Sequence, residues 1–401
     1  MPINPTIAGR GGVVVGFIAA VALAAALGGC FSSGSGIQAG ERVDVYVSMP
    51  LHGPQARNGR DVVDAARLAL ADAHGMAGQL RIRARYMDDT SGHGAEARWS
   101  PATAASNARR ASQDSAAIAY IGDFDSGATR FSLPITNEAH ILQVSPASSA
   151  VDLVQPFLGA GDQIPEEVQP TGQRTFGRVI PSDEAQADAG AIWAKRLRSK
   201  GVIVVSGKTR YDRVMASAFR DQAAAIGLRI AKPGRPPERG AVSDLGYAAI
   251  ETSDRGRLGV VRALPRVLVT DALLANSSRV LTGPQPGRVL ITASAQDPRQ
   301  LPPAGQRFLR AFRKRYGRTP GPYAAYGYEA MAVVLDSIRR AGDSGDERDS
   351  VVNAFFDTAD RRSVLGTYSI DEIGNTTLDR LAGYRLVHGK PRFTTDLSAT
   401  P

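Results

Sequence analysis

The residue types able to carry chemistry are few in this sequence, and their spacing matches no catalytic or metal-binding pattern. The five histidines, at positions 52, 74, 93, 140 and 388, lack the spacing of metal ligands. Residues 122–127 place a serine in a glycine-containing loop, but they form neither a Gly-x-Ser-x-Gly elbow nor a Gly-Asp-Ser-Leu block. No Gly-x-x-x-x-Gly-Lys-Ser/Thr loop for ATP occurs either. The sequence therefore predicts neither an enzyme nor a metal site, and we expect no cofactor.

The single cysteine, Cys30, excludes an intrachain disulfide and lies where an apolar N-terminal run stops. Arg10 precedes the apolar, glycine-rich stretch 11–29, which has the length of a signal-peptide core. The stretch ends in Leu-Gly-Gly-Cys, which resembles the lipobox of bacterial lipoproteins. We expect a signal peptide over 1–29, lipidation of Cys30, a Ser/Gly-rich tether over 30–42, and anchoring to the outer face of the cytoplasmic membrane. The alternative is an uncleaved N-terminal anchor with an incidental cysteine.

Composition and charge favour a soluble globular body with two cores. The chain is 43% hydrophobic and 22% charged, and roughly 370 residues remain after the first 29, which is long for one core. The net charge of +9 comes from arginine-rich helical faces such as 307–316, where apolar residues recur at helical spacing. In an exported protein this indicates a solvated face, or one near anionic lipid headgroups, and no nucleic-acid partner.

The elements that would position a site alternate between strands and helices. In the first half we predict strands at 43–48, 80–87, 117–121 and 141–144, and helices at 57–73, 101–112 and 128–138. After a long loop, 154–175, the pattern restarts with helices at 184–199 and 211–225 and strands at 202–205, 228–231, 248–251 and 266–270. Repeated units of this length predict parallel sheets covered on both faces.

Six short motifs resemble those of one family, the type I periplasmic binding proteins of branched-chain amino acid uptake systems (Leu/Ile/Val-binding-like). They follow the order of the family and cover nearly the whole chain after the tether. Examples are the turn Pro-Leu-His-Gly-Pro, the strand end Tyr-Met-Asp-Asp-Thr and the segment Gly-Thr-Tyr-Ser-Ile-Asp-Glu-Ile-Gly-Asn. The six segments are 50–54, 86–90, 121–149, 178–183, 323–330 and 366–375.

The resemblance implies the type I periplasmic-binding-protein fold, with two doubly wound parallel-sheet lobes joined by three crossovers. Lobe 1 would hold 43–177 plus 295–364, and lobe 2 would hold 178–294 plus 365–395. A small, amino acid-like ligand would bind between the lobes, which would close on it. The implied protein is a monomer that delivers its ligand to an ABC permease. The alternative is a ligand-sensing or regulatory lipoprotein that is not coupled to transport.

The resemblance also assigns roles on lobe 1. Ser126 begins a helix after the third strand, where its hydroxyl and the free N–H groups of the first turn suit a ligand carboxylate. An ordinary helix N-cap is the competing interpretation. Ala147 and Ser149 follow the fourth strand, in a loop that the family uses to hold the amino and carboxylate groups, and an ordinary Ser/Pro turn is the alternative.

On lobe 2 the resemblance indicates two acids and one aromatic residue. Asp271 follows a strand where the family often has an acid that pairs with the ligand ammonium. Asp183 lies at the first crossover, where it could contact the same group or cap the next helix. Tyr211 resembles a cleft tyrosine, and an exposed aromatic is the alternative. Two departures stand out: His52 replaces the usual Ser or Thr and could alter the pocket floor, and 232–263 is too short in regular structure for the family's helix, strand and helix.

Overall fold

The computed structural model describes residues 41–156, 165–231, 244–250, 259, 261, 264–273 and 287–400. The signal peptide, Cys30 and nearly all of the tether predicted above lie outside these residues, as does most of the segment 232–263. None of the helices in the described segments is long and apolar enough to cross a membrane.

The first sheet has six strands and lies in the N-terminal part of the described chain. Its strands are β1 (Arg42–Met49), β2 (Met76–Ala77), β3 (Leu80–Asp88), β6 (Ala117–Ile121), β7 (Leu142–Ser145) and β8 (Phe176–Arg178). They lie in the order β2-β3-β1-β6-β7-β8 and are parallel except for the β2–β3 pair. Between β3 and β6, β4 (Thr90–Ser91) and β5 (Arg98–Trp99) form a small hairpin. The helices that follow these strands are α1 (Ala56–Asp72), α2 (Pro101–Ser112), α3 (Ser126–Glu138) and the short α4 (Pro165–Val168).

The second sheet has seven strands and carries an antiparallel hairpin at one edge. Its strands are β9 (Val202–Ser206), β10 (Ile230–Ala231), β11 (Leu245–Ala249), β12 (Val267–Thr270), β13 (Val289–Ala293), β16 (Arg380–Val387) and β17 (Lys390–Ser398). Their order is β10-β9-β11-β12-β13-β16-β17, parallel as far as β13 and antiparallel beyond it. The intervening strands β14 (Arg361–Arg362) and β15 (Thr367–Tyr368) pair with each other in a separate sheet. Helices α5 (Asp183–Arg196) and α6 (Arg210–Ala225) pack on this sheet.

The chain returns to the first sheet before it completes the second. Helices α7 (Pro303–Tyr316), α8 (Ala324–Arg340) and α9 (Arg348–Phe356) share one hydrophobic core with β1, α1 and β6. We call the first sheet with α1–α3 and α7–α9 lobe 1, and the second sheet with α5 and α6 lobe 2. The chain therefore passes between the lobes three times, as the predicted fold class requires. Tyr368, Ile370 and Leu378 still pack in the core of lobe 1, which favours a third passage further along the chain than Leu365.

The sequence explains why these segments form buried strands and half-buried helices. All residues of β6, β12 and β13 are buried, as expected for continuous apolar runs in a parallel sheet covered on both faces. On α7, Phe308, Leu309 and Phe312 are buried while the basic residues of 307–315 are exposed, which confirms the predicted amphipathic helix.

Four features of lobe 2 and its entry differ from the prediction. The strand expected at 248–251 is β11, which begins three residues earlier, at Leu245. Strand β13 and the β16–β17 hairpin were not predicted. The strand expected at 228–231 is shorter in the structure, where β10 begins at Ile230, and the loop expected over 154–175 contains α4. β11 was hard to place because it is rich in Gly and Ala, which have weak strand preferences. Gly246 is nevertheless required there, since an added Cβ would lie 2.1 Å from the Cδ1 of Leu264.

Candidate functional site

A cleft of about 580 Å³ lies between the two lobes, next to the carboxyl ends of their parallel strands. Its walls are the loops after β6 and β7 on lobe 1, and the end of β12 and the first turns of α5 and α6 on lobe 2. The structure brings all six predicted site residues to this cleft: Ser126, Ala147, Ser149, Asp183, Tyr211 and Asp271. Open α/β sheets place their ligand sites at this edge.

The loop after β6 is fixed by the buried residue Asp123. Its carboxylate accepts hydrogen bonds from the hydroxyls of Tyr120 (3.0 Å) and Ser132 (2.5 Å). Its backbone carbonyl accepts the hydroxyls of Ser145 (2.7 Å) and Ser148 (2.9 Å) from the loop after β7. The two cleft loops of lobe 1 are therefore held to each other before any ligand arrives, which preorganises this half of the site.

Ser126 is the first residue of α3 and does not cap it. The preceding residue, Asp125, occupies the N-cap position without a side-chain cap hydrogen bond. The Ser126 hydroxyl accepts the N–H of Ala150 at 3.2 Å, so the hydroxyl proton remains available to donate. The uncapped first turn also leaves backbone N–H groups at the cleft. The N-cap interpretation of Ser126 is therefore wrong, and a hydroxyl and a helix N-terminus meet the cleft together.

Ala147 and Ser149 lie in the loop after β7, which a serine hydroxyl shapes. The Oγ of Ser145 accepts the N–H of Ala147 at 3.2 Å and of Ser148 at 2.8 Å. The carbonyl of Ser149 accepts the N–H of Asp183 at 2.9 Å. This last bond joins the loop of lobe 1 to the first turn of α5, so the same segment lines the cleft and adjoins the first passage between lobes.

Asp183 faces the cleft because its neighbour caps the helix. The Oγ of Ser182 accepts the N–H of Ala185 at 3.2 Å, which leaves the Asp183 carboxylate free of the capping role considered above. Burial raises the pKa of Asp183 to about 6, while a hydrogen bond from Ser149 and the positive charge of Arg178 act in the opposite direction. Ser149 and Arg178 thus offset part of the cost of burying this carboxylate, which still lines the cleft and can contact a ligand.

Asp271 directly follows β12 and lies at the cleft opposite lobe 1. Its Oδ1 accepts the side-chain N–H of Gln186 at 3.0 Å, and Gln186 is itself held by the carbonyl of Thr292 at 2.7 Å. Burial raises the pKa of Asp271, against the effect of this hydrogen bond and of backbone N–H groups. The carboxylate is therefore positioned by hydrogen bonds but has no cationic partner among them.

Tyr211 lies in the first turn of α6, which begins with a capping box between Thr209 and Asp212. Burial raises the pKa of its phenol well above 10, and the carboxylates of Asp183 and Asp271 act in the same direction. Tyr211 is therefore a neutral hydrogen-bond donor beside the two acids.

An ion-pair bridge at the cleft was not predicted. Asp152, buried in the loop after β7, pairs with Arg130 of α3 and with the Nε of Arg210 in α6, the latter at 2.6 Å. Val151 and Val214 form a small buried contact beside it. Since Arg130 and Asp152 lie on lobe 1 and Arg210 on lobe 2, the bridge joins the two lobes. Long-range pairing of this kind leaves no signal in sequence spacing.

An aromatic pair on lobe 1 was also missed. Phe124 and Tyr323 line the cleft with their rings edge to face, 4.8 Å between centroids. Tyr323 immediately precedes α8 and begins the predicted 323–330 motif, which is the signal that could have identified it. His52, by contrast, does not line the cleft: its exposed ring lies 2.5 Å from Asp88, measured between Nδ1 and Oδ2. The effect of this replacement on the pocket floor stays a prediction.

The cleft has no histidine among its lining residues. All five histidines are described, and none lines the cleft. Within the described chain, no group of three or more His, Cys, Asp or Glu residues is arranged to hold a metal ion.

Comparison with protein families places this geometry in a known context. Residues 44–246 match the family model described as periplasmic binding protein. The leucine-binding protein LivK of Thermotoga maritima is 21% identical, with a TM-score of 0.66 over 89% of this chain and 99% of that one. LivJ of Streptococcus pneumoniae, solved with isoleucine, is 16% identical, with a TM-score of 0.65 over 90% and 100%. A solute-binding protein of Rhodopseudomonas palustris, solved with 3,4-dihydroxybenzoic acid, is 17% identical, with a TM-score of 0.64 over 90% and 98%. No curated protein matched significantly.

The chain belongs to the periplasmic binding protein family, and it has the type I fold that was predicted. Two of these structures are named as a substrate- or solute-binding protein of a transporter, and the family to which this chain belongs is one of binding proteins.

Proposed function

We propose that this protein is the extracytoplasmic solute-binding lipoprotein of an ABC uptake system, and that it captures an amino acid or related zwitterion by closing its lobes. The observation that carries the proposal is the division of charge across the cleft. Apart from Asp125 and the ion pairs of Asp152 with Arg130 and Arg210, lobe 1 offers hydrogen-bond donors, whereas lobe 2 offers the carboxylates of Asp183 and Asp271. An amino acid has the matching pair of groups, a carboxylate and an ammonium, on one carbon.

The carboxylate end of the ligand is assigned to lobe 1. The first turn of α3 presents backbone N–H groups, and the Ser126 hydroxyl still has a proton to donate. The positive end of a helix favours an anion there. Ala147 and Ser149 also line the cleft, but the Ala147 N–H and the Ser149 hydroxyl are engaged with Ser145 and Asp183, so the first turn of α3 supplies the contacts to the carboxylate.

The ammonium end is assigned to Asp183 and Asp271, with Tyr211 beside them. A carboxylate buried without a cationic partner is costly, and a ligand ammonium supplies that partner. The acidic lining also distinguishes between the ligands of the similar structures. Leucine and isoleucine carry an ammonium, whereas a benzoate carries only negative charge and would meet like charges on lobe 2. The cleft chemistry therefore favours amino acids over aromatic acids.

Closure would follow from ligand contacts made by lobe 2 only in the closed form. A ligand shifts the open–closed equilibrium only by its differential affinity for the two states, and here Asp183, Tyr211 and Asp271 supply that difference. We propose the lobe bounds given in the sequence analysis, with the third passage moved past Leu378. The partner for delivery would be an ABC permease, and the protein would act as a monomer.

A thermal-unfolding screen of the purified protein against amino acids, amides and benzoates tests this function. Stabilisation should rise with ligand concentration, by about 2.7 kcal/mol at a hundredfold excess over the Kd. We expect amino acids to raise the melting temperature and benzoates to leave it unchanged. If benzoates stabilise the protein and amino acids do not, the assignment of the ligand class is wrong.

The lipid anchor at Cys30 has a separate test. Replacing Cys30 with serine removes the thiol that would be acylated, so we expect the variant to leave the membrane fraction and enter the soluble fraction. Its ligand affinity should equal that of the unchanged protein, because Cys30 precedes the binding lobes. Fractionation of cells and a ligand titration of both proteins measure the two outcomes. A Cys30→Ser protein that stays with the membrane would contradict the lipoprotein proposal and leave ligand binding untouched.

A further inference from the structure

We propose that the cleft has a second cation-binding point, at Asp125 of lobe 1, and that the ligand is an amino acid whose side chain carries a second positive charge. This inference rests on the proposed amino-acid function and names the class of amino acid.

The first observation is an unpartnered acid in the cleft wall. Asp125 lines the cleft at the N-cap position of α3, but its side chain makes no capping hydrogen bond. Its Oδ2 is buried and has no hydrogen-bond partner. A native protein rarely leaves a buried carboxylate oxygen unpaired, and a site for a ligand is one established reason for it.

The second observation is that the two arginines lining the cleft are already ion-paired with another acid. Arg130 and Arg210 both pair with the buried Asp152. The carboxylate of Asp125 is therefore not neutralised by either of them. Its pKa is raised to about 6 by burial and by the nearby charge of Asp123, and no cation acts in the opposite direction.

The third observation is that one ammonium group cannot serve all the acids. In the proposed function the ligand ammonium pairs with Asp183 and Asp271, which belong to lobe 2. Asp125 belongs to lobe 1, so closure on a ligand with a single ammonium would bury its carboxylate further without a partner. That arrangement is costly, and a second cationic group on the ligand removes the cost.

The surroundings of Asp125 also suit an organic cation. Phe124 and Tyr323 line the cleft with Asp125 as an edge-to-face pair, and aromatic rings attract a guanidinium or ammonium group that lies over them. The volume of about 580 Å³ lies within the range of small-molecule sites and leaves room for a long side chain.

Two pairs of nearly isosteric ligands test the inference by calorimetric titration: arginine against citrulline, and lysine against norleucine. In each pair only the first member carries the second charge. We expect the charged member to bind roughly tenfold tighter or better, since a charge-assisted hydrogen bond to a desolvated carboxylate is among the strong ones. In Asp125→Asn this preference should disappear, while the affinity for citrulline and norleucine stays the same. Asp343→Asn, the same substitution at an exposed position, should keep the preference.

The outcomes separate this inference from the function on which it rests. If citrulline and norleucine bind as tightly as arginine and lysine, the second cation point is wrong and the amino-acid function stands. If Asp125→Asn lowers the affinity for all four ligands equally, Asp125 is not a selective contact. If none of the four binds and leucine also fails, the proposed function fails with it. Ligand-free thermal unfolding of Asp125→Asn should match or exceed that of the unchanged protein, which excludes misfolding as the cause.

Discussion

Replacing Asp271 with alanine is expected to weaken the binding of an amino acid by roughly thirtyfold or more. The carboxylate is positioned by Gln186 and has no cationic partner among its hydrogen bonds, so the ligand ammonium would be its counter-charge. Truncating one member of a buried charge pair costs about 2 kcal/mol or more, which is roughly thirtyfold in Kd. Calorimetric titration of the variant with the amino acid found in the screen measures the loss.

The same variant should not lose stability without ligand. Burial raises the pKa of Asp271, so the folded protein holds the proton more tightly than the unfolded chain does. Because the pKa is raised on folding, the ionised carboxylate opposes folding at pH values above the pKa of the unfolded chain, and its removal should leave the free energy of unfolding equal or higher. Asp343→Ala is the matched control at an exposed site and should change neither quantity. Equal weakening of an amino acid and of an uncharged analogue would remove Asp271 from the ammonium role.

Replacing Arg178 with leucine is expected to give the largest loss of stability. Arg178 is fully buried at the end of β8, and burial lowers the pKa of its guanidinium to about 10, so it stays charged at neutral pH. It donates to the Oδ1 of Asn375 and to the carbonyl of Ala150, both at 2.7 Å. Each abandoned buried acceptor costs about 1–3 kcal/mol, so we expect the free energy of unfolding to fall by about 3–5 kcal/mol. Urea denaturation measures this loss.

Replacing Arg178 is also expected to change how ligand affinity depends on pH. The positive charge of Arg178 holds the pKa of Asp183 below the value that burial alone would give. Without that charge the pKa of Asp183 rises above about 6, so more of the carboxylate is protonated as the pH falls, and a protonated acid pairs poorly with an ammonium. Amino acid affinity should therefore fall more steeply from pH 8 to pH 6 in Arg178→Leu than in Arg178→Lys, which keeps the charge. Arg362→Leu, at an exposed position, is the control for both readouts. Identical pH profiles for Arg178→Leu and Arg178→Lys would refute this link.

The fold and the positions of the predicted site residues could be derived from the sequence because they depend on local patterns. Apolar runs such as β6 and β12, and helix starts such as those at Ser126 and Asp183, depend on neighbouring residues. The carboxyl ends of parallel strands then bring distant loops together by topology alone. Ser126 and Asp271 could therefore be placed at one cleft although 145 positions separate them.

The remainder of the site depends on pairings that sequence spacing does not encode. The bridge from Asp152 to Arg130 and Arg210 needs knowledge of how α3, α6 and the loop after β7 approach one another. The role of Ser126 was ambiguous because a helix-start serine fits both a cap and a ligand contact, and the position of Asp125 at the N-cap decides against the cap. β11 was misplaced because Gly246 leaves the space that Leu264 occupies, a requirement that strand preferences do not reflect.

A crystal structure of the protein with the tightest-binding amino acid of the screen would test the central claim most directly. The account predicts the ligand in the cleft between the lobes, with its ammonium at about 3 Å from a carboxylate oxygen of Asp183 or Asp271. Its carboxylate should lie at the first turn of α3, within hydrogen-bond distance of Ser126. A ligand bound in the reverse orientation, or bound outside the cleft, would contradict the division of charge on which the proposed function rests.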